Sequence, residues 1–273
     1  MSKHALWAVL AGIILLALPV AAGEPFDHQH TQFTKILRAY VKDGLVDYQS
    51  LSQARGPLEK YLDDLGSVSA DEIVNWTLDQ KLAYWLNFYN ACLLDAVSRN
   101  MPLKPDESGN VSPRQIPGLW TNYKWNTPYG KQDLNTMEFM QVRKLNNDLW
   151  IFAINRGVKG GGVQLSEAYT GDRVRGQMSQ AVGFWLANPI NFQASPEQHQ
   201  ISVSSYLHQN MKILERDYFR RGEFMGHTDY EIIAAKLYLA HGTDKQIKTL
   251  LYSGDFSLQN LPFDQNLNIR SPQ

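Results

Sequence analysis

The sequence predicts an α+β fold, predominantly helical around one long buried central helix, with a small antiparallel sheet. Three observations carry this. Apolar residues recur at helical spacing in at least six segments. Strand-like runs are few, short and mostly sequential. One helical segment, from Leu78 to about Val97, is apolar almost all the way round.

The chain has 273 residues, of which 44% are hydrophobic, enough to bury a sizeable core. Lys3 and His4 precede an apolar stretch from Ala5 to Leu18, and Pro19-Val20-Ala21-Ala22 supplies small residues for cleavage, so residues 1–22 read as a secretory signal peptide. Its apolar stretch is too short to span a bilayer easily, and no other segment is apolar enough, so no membrane span is expected after removal. Residues 23–273 are expected to form one globular domain, periplasmic or secreted. The net charge of −1 becomes one unit more negative without Lys3, which argues against nucleic acid as a partner. The lone cysteine, Cys92, cannot form an internal disulfide and sits within a predicted helix, where it reads as a buried structural thiol.

The elements follow in order. Phe33, Ile36, Leu37 and Tyr40 predict a helix over about Gln29 to Val41, ended by Gly44. A second runs from Leu58 to Leu65 and closes at Gly66. Ser69 or Asp71 can cap the next element. In the long helix, Leu82, Trp85, Leu86, Tyr89, Cys92 and Leu93 form a continuous stripe, and Asn87 and Asn90 are carried inside with it. Buried amides need partners, so this pair is expected to fasten loops or to line a polar cavity. Pro102 to Gly130 reads as a loop leading into a twisted hairpin. Its Trp120, Tyr123, Trp125 and Tyr129 fit packing against a helix better than a sugar platform. Leu134 to Leu145 reads as a short helix and Trp150 to Ile154 as a buried strand. After a glycine-rich loop, Val174 to Trp185 is an amphipathic helix that Pro189 terminates. Ile201 to Val203 reads as a strand, and Ser205 to Asp217, Asp229 to Leu239 and Lys245 to Leu251 as helices. An irregular or extended tail closes the sequence.

The loop Arg156-Gly157-Val158-Lys159-Gly160-Gly161-Gly162 offers cations and backbone donors but no nucleophile and no general base. Three successive glycines would let N–H groups approach an anion, with Arg156 and Lys159 nearby. The phosphate-loop pattern is absent and no cofactor is expected. Asp27-His28-Gln29-His30 could begin a metal site, but no third ligand is evident and no metal is expected.

Phe26-Asp27-His28, Val46-Asp47-Tyr48, the run Trp85 to Ala91, Leu134 to Glu138, Arg143, Phe152 to Asn155 and Glu167 to Gly171 stand in a recognisable order. In this series the chain resembles the domain of unknown function 547 family, over nearly all of residues 23–273 and including Phe263-Asp264 and Leu267-Asn268. The resemblance implies two cysteines at the positions of Arg156 and Gly161 and a histidine at that of Phe139. A thiol and an imidazole brought together by the fold would suit hydrolase or acyltransferase chemistry. Both are missing here. The implied function is therefore a non-catalytic domain with a degenerate thiol-type site, binding an unknown small ligand or extracytoplasmic protein. Its ligand-binding candidates are Asn87, Asn90, Arg143, Arg156, Lys159, Gly161 and Tyr169. The alternative is an active hydrolase or acyltransferase-like enzyme that uses the carboxylates Glu138 and Glu167.

Overall fold

The computed structural model describes residues 26–145, 147–220 and 222–270. The expected signal peptide lies outside them. Among the described residues no helix is long and apolar enough to cross a membrane.

The chain enters through α1 (Thr31–Tyr40) and the two-residue strands β1 (Val41–Lys42) and β2 (Leu45–Val46), then α2 (Tyr48–Gln53), α3 (Gly56–Gly66) and α4 (Ala70–Val74). The 22-residue α5 (Leu78–Arg99) follows. It starts at a reciprocal cap: Thr77 Oγ1 accepts from the Gln80 N–H and Gln80 Oε1 accepts from the Thr77 N–H. From Leu82 to Ser98 every residue of α5 is buried, so it forms the axis of the core. Helices α2 and α3 pack against this axis, as do α6 (Leu134–Met137) and α8 (Val174–Ala187), in a continuous apolar cluster running from Phe33 to Leu267.

Strands β3 (Trp125–Thr127) and β4 (Gly130–Gln132) form a hairpin, and α6 (Leu134–Met137) follows it. The single helix expected from Leu134 to Leu145 is broken: a π-helical turn spans Glu138–Val142, closed by the Arg143 N–H donating to the Glu138 carbonyl. Widening the turn to five residues places Glu138 and Arg143 on one face. Trp150 to Ile154, expected as a strand, is instead the short helix α7 (Trp150–Ala153), buried at every position. A five-residue apolar run fits either state, and packing against α8 (Val174–Ala187) decides it.

The second half holds the only sheet of more than two strands among the described residues. Strands β5 (Phe192–Ser195) and β6 (Gln200–Ser204) pair antiparallel, which agrees with the α+β expectation. After α9 (Ser205–Tyr218), α10 (Asp229–His241) and α11 (Lys245–Ser253), the strand β7 (Ser257–Leu261) joins β6 in parallel register, a pairing that local pattern does not announce.

The closing segment then threads the middle of the molecule. The Leu267 N–H donates to the Val111 carbonyl, that of Asn268 to Gly157 and that of Arg270 to Val46. Asn268 is 2% exposed. Its Oδ1 accepts from the Tyr48 hydroxyl at 2.9 Å and its Nδ2 donates to the Gly44 carbonyl and to Asn155 Oδ1.

Candidate functional site

The glycine-rich loop connects α7 to α8. Its glycines are required by close approach. A Cβ at Gly162 would lie 2.1 Å from the Ile154 carbonyl oxygen and 2.7 Å from that of Ile151, at the end of α7. One at Gly160 would lie 2.9 Å from the Asp264 carbonyl and from the Phe263 ring. Of the three glycines expected to meet an anion, Gly160 and Gly161 already donate their N–H groups to the carbonyls of Asp264 and Val158, and the neighbouring Lys159 N–H donates to that of Asn266. The loop is a packing device pinned by the closing segment. The expected anion nest is not formed.

Its first side chain has a different role. Arg156 Nη2 lies 2.8 Å from Glu138 Oε2, and Arg143 Nη2 lies 2.6 Å from Glu138 Oε1. Glu138, 5% exposed, is thus held between two guanidiniums. Burial opposes the Arg156 charge, but the oxygens of Tyr89, Tyr206 and Glu138 outweigh it and hold the guanidinium firmly protonated. The Arg143 guanidinium also stands over the rings of Phe139 and Trp150, at 5.7 and 5.1 Å. Arg156 therefore meets the side chain of Glu138, while the ring of the neighbouring Phe139 is exposed and touches Arg143.

Arg156 lines a cleft of about 650 Å³. The second cation of this cleft, Arg114, comes from a short turn at Pro113–Gln115 and is exposed, with no ion-pair partner among the described residues. Trp120, Tyr206 and Phe263 supply aromatic surface. The amides of Asn135, Gln209, Asn210 and Gln265 complete the polar lining. The lining contains no carboxylate, thiol, imidazole or amine. Trp120 Nε1 is buried without a hydrogen-bond partner, and so is the hydroxyl of Tyr89, which interacts electrostatically with both Arg156 and Glu138. Burial keeps that phenol protonated.

The remaining candidates fall elsewhere. Asn87 Nδ2 donates to the Tyr169 carbonyl at 2.8 Å and Asn87 Oδ1 accepts the Tyr169 N–H at 2.9 Å. One turn on, Asn90 Nδ2 donates to the Ala153 carbonyl at 3.0 Å and Asn90 Oδ1 accepts the Asn155 N–H at 2.7 Å. Both amides are bonded to backbone and fully buried, so neither presents any surface to a ligand. Tyr169 is buried too, its hydroxyl donating to the Ala153 carbonyl. Lys159 is exposed, and with Gly161 it lines a separate cavity of about 530 Å³ that Phe184 and Ile190 also border.

Glu167 is paired with Arg173 and accepts from Gln177 Nε2. Burial would raise its pKa, but the Gln177 and Arg173 contacts prevail and hold it below the ordinary value, the wrong direction for a general acid. It shares no partner with Glu138, so the carboxylate pair of the enzymatic alternative is not assembled. Cys92 is buried, and burial pushes its thiol up. His28 packs edge-on against Trp76 and His30 Nδ1 bonds the Tyr61 hydroxyl.

Of the four aromatics before Gly130, three pack on α5. Trp125 Nε1 donates to Asp95 Oδ2, Tyr123 stacks on Trp125 and its hydroxyl accepts from Asn100, and Tyr129 lies over Trp85. Trp120 alone reaches the cleft. Sequence reasoning missed Arg114, Tyr206, Gln209, Asn210 and Gln265, because three distant segments deliver them and no local spacing marks them. Comparison with protein-family models, curated proteins and solved structures finds no match to this chain.

Proposed function

We propose that this protein is a non-catalytic, exported ligand-binding domain, a divergent relative of the domain of unknown function 547 family, and that it binds an acceptor-rich small ligand in the Arg156 cleft. The observation that carries this is the composition of the cleft. Two guanidiniums, three aromatic side chains and several side-chain amides line it, and nothing in the lining can act as nucleophile or base at neutral pH. Arg156 stands where the resemblance places a cysteine, and its pairing with Glu138 fills that position with a fixed, hydrogen-bonding cation. Export rests on the signal-like residues 1–22.

Native mass spectrometry of the protein, purified gently from cells that export it, tests this reading. A small-molecule mass retained by the wild type and lost in Arg114→Ala is the expected result. A bare polypeptide in both, together with turnover of an ester or amide library that Glu138→Gln abolishes, would replace it with the enzymatic alternative.

A further inference from the structure

Resting on that reading, we infer that the ligand is an acidic sugar: a hydroxyl-rich ring bearing one carboxylate. Three features of the cleft select this chemistry.

The first is charge. Glu138 neutralises one of its two arginines, so the Glu138, Arg143 and Arg156 group carries one net positive charge, and Arg114 adds one more at the mouth. Of the two lining guanidiniums only Arg114 has no carboxylate partner among the described residues, so one ligand carboxylate can pair with it through two parallel hydrogen bonds. A polyphosphate would find no lysine in the lining and no backbone nest, because the N–H groups of Lys159, Gly160 and Gly161 are spent within the protein.

The second is the amides. The side chains of Asn135, Gln209 and Gln265 form no hydrogen bond with the described protein, and Asn210 uses only its Nδ2, toward the Tyr206 carbonyl. Each amide offers donors and an acceptor together, the complement of a hydroxyl group, which is both at once. A fatty acid or simple carboxylate would leave them unused.

The third is the aromatic surface. Trp120 and Phe263 are half-buried at the cleft, so part of each ring stays open to it. A ring ligand can lay its C–H face on such a surface while its hydroxyls reach the amides. A cleft of about 650 Å³ lies in the range of small-ligand sites.

Isothermal titration and ¹⁵N-resolved NMR of the full exported chain with glucuronate, glucose, acetate and inorganic phosphate test the inference. The expected result is saturable binding of glucuronate, at least tenfold tighter than glucose or acetate, with shifts at Arg156 and Trp120. Arg114→Ala should weaken glucuronate at least fivefold and leave glucose unchanged, and Trp120→Ala, which removes the aromatic surface, should weaken both. Acetate or phosphate binding as tightly as glucuronate would overturn the sugar while leaving an anion-binding cleft. Glucose binding as tightly as glucuronate would overturn the role of the carboxylate. No saturable binding of any of the four would overturn the sugar, and the proposed function would then rest on the mass-spectrometric result alone.

Discussion

Two polar regions lie on either side of the segment that runs from α7 into the glycine-rich loop, and they are built to opposite rules. On one side, Asn87, Asn90, Asn155 and Asn268 are almost wholly buried, and each is satisfied by backbone or by another member of the set. On the other, the side chains of Arg114, Gln209 and Gln265 have no partner within the described protein, and the first two are exposed. Buried polar groups serve stability only when paired. The contrast separates amides that hold the fold from amides that await something else, and residue type alone cannot draw that line.

The comparison breaks most visibly on the structural side. Asn90→Ala removes two hydrogen bonds and leaves the Ala153 carbonyl and the Asn155 N–H unpaired, so it should destabilise the fold by about 3 kcal/mol in urea unfolding. A loss below about 1 kcal/mol would mean that water replaces the amide and that the region is not closed. Glu138→Gln comes next. It leaves two guanidiniums facing a neutral group, one of them largely buried, and should cost about 2 kcal/mol, less than a fully buried pair because Arg143 remains half-exposed.

The cleft side should respond in binding. Arg156→Met relieves Glu138 of one cation and removes the floor of the site, and should lower ligand affinity at least tenfold, or ~1.4 kcal/mol. Arg114→Ala should change stability by less than about 0.5 kcal/mol while still weakening the ligand, because its side chain holds nothing within the described protein. Equal losses of stability and binding at Arg114 would erase the distinction.

The smallest effect is a pH response outside both regions. Burial and the neighbouring Asp217 carboxylate push Asp148 up to about 6, against the pull of Arg216. Its folded pKa exceeds its unfolded one, so the folded protein binds the extra proton between about pH 4 and 6, and stability from this group rises as pH falls through that window. Asp148→Asn should therefore stabilise the protein at pH 7 and flatten its thermal midpoint between pH 7 and 5. Asp47, Asp133 and Glu167 work in the opposite sense. Each is held below its ordinary value, so their stabilisation is present above that value and lost in acid below about pH 4.

The scaffold was legible where a helix is long enough to show its period and its stops. α8, α9, α10 and α11 end within about two residues of the positions expected from Pro189 and from the apolar stripes. It was illegible where an element is short or its partner remote. α7 is four residues of apolar sequence, and β7 pairs with β6 only after three intervening helices. The site divides in the same way. Glu138 and Arg143 lie in one segment and were readable as neighbours, but the π-helical turn that aligns them leaves no mark in the composition. Arg156 was visible as the cation that opens the glycine-rich loop. The amides of α9 and of the closing segment reach it only in three dimensions.

Asn268 bonds Tyr48 across 220 positions, and Asn155 across 113. Contacts of such separation form late, after the chain between them has been placed. The molecule's polar centre therefore cannot close until residue 268 has arrived, and every shorter nascent chain lacks the clasp.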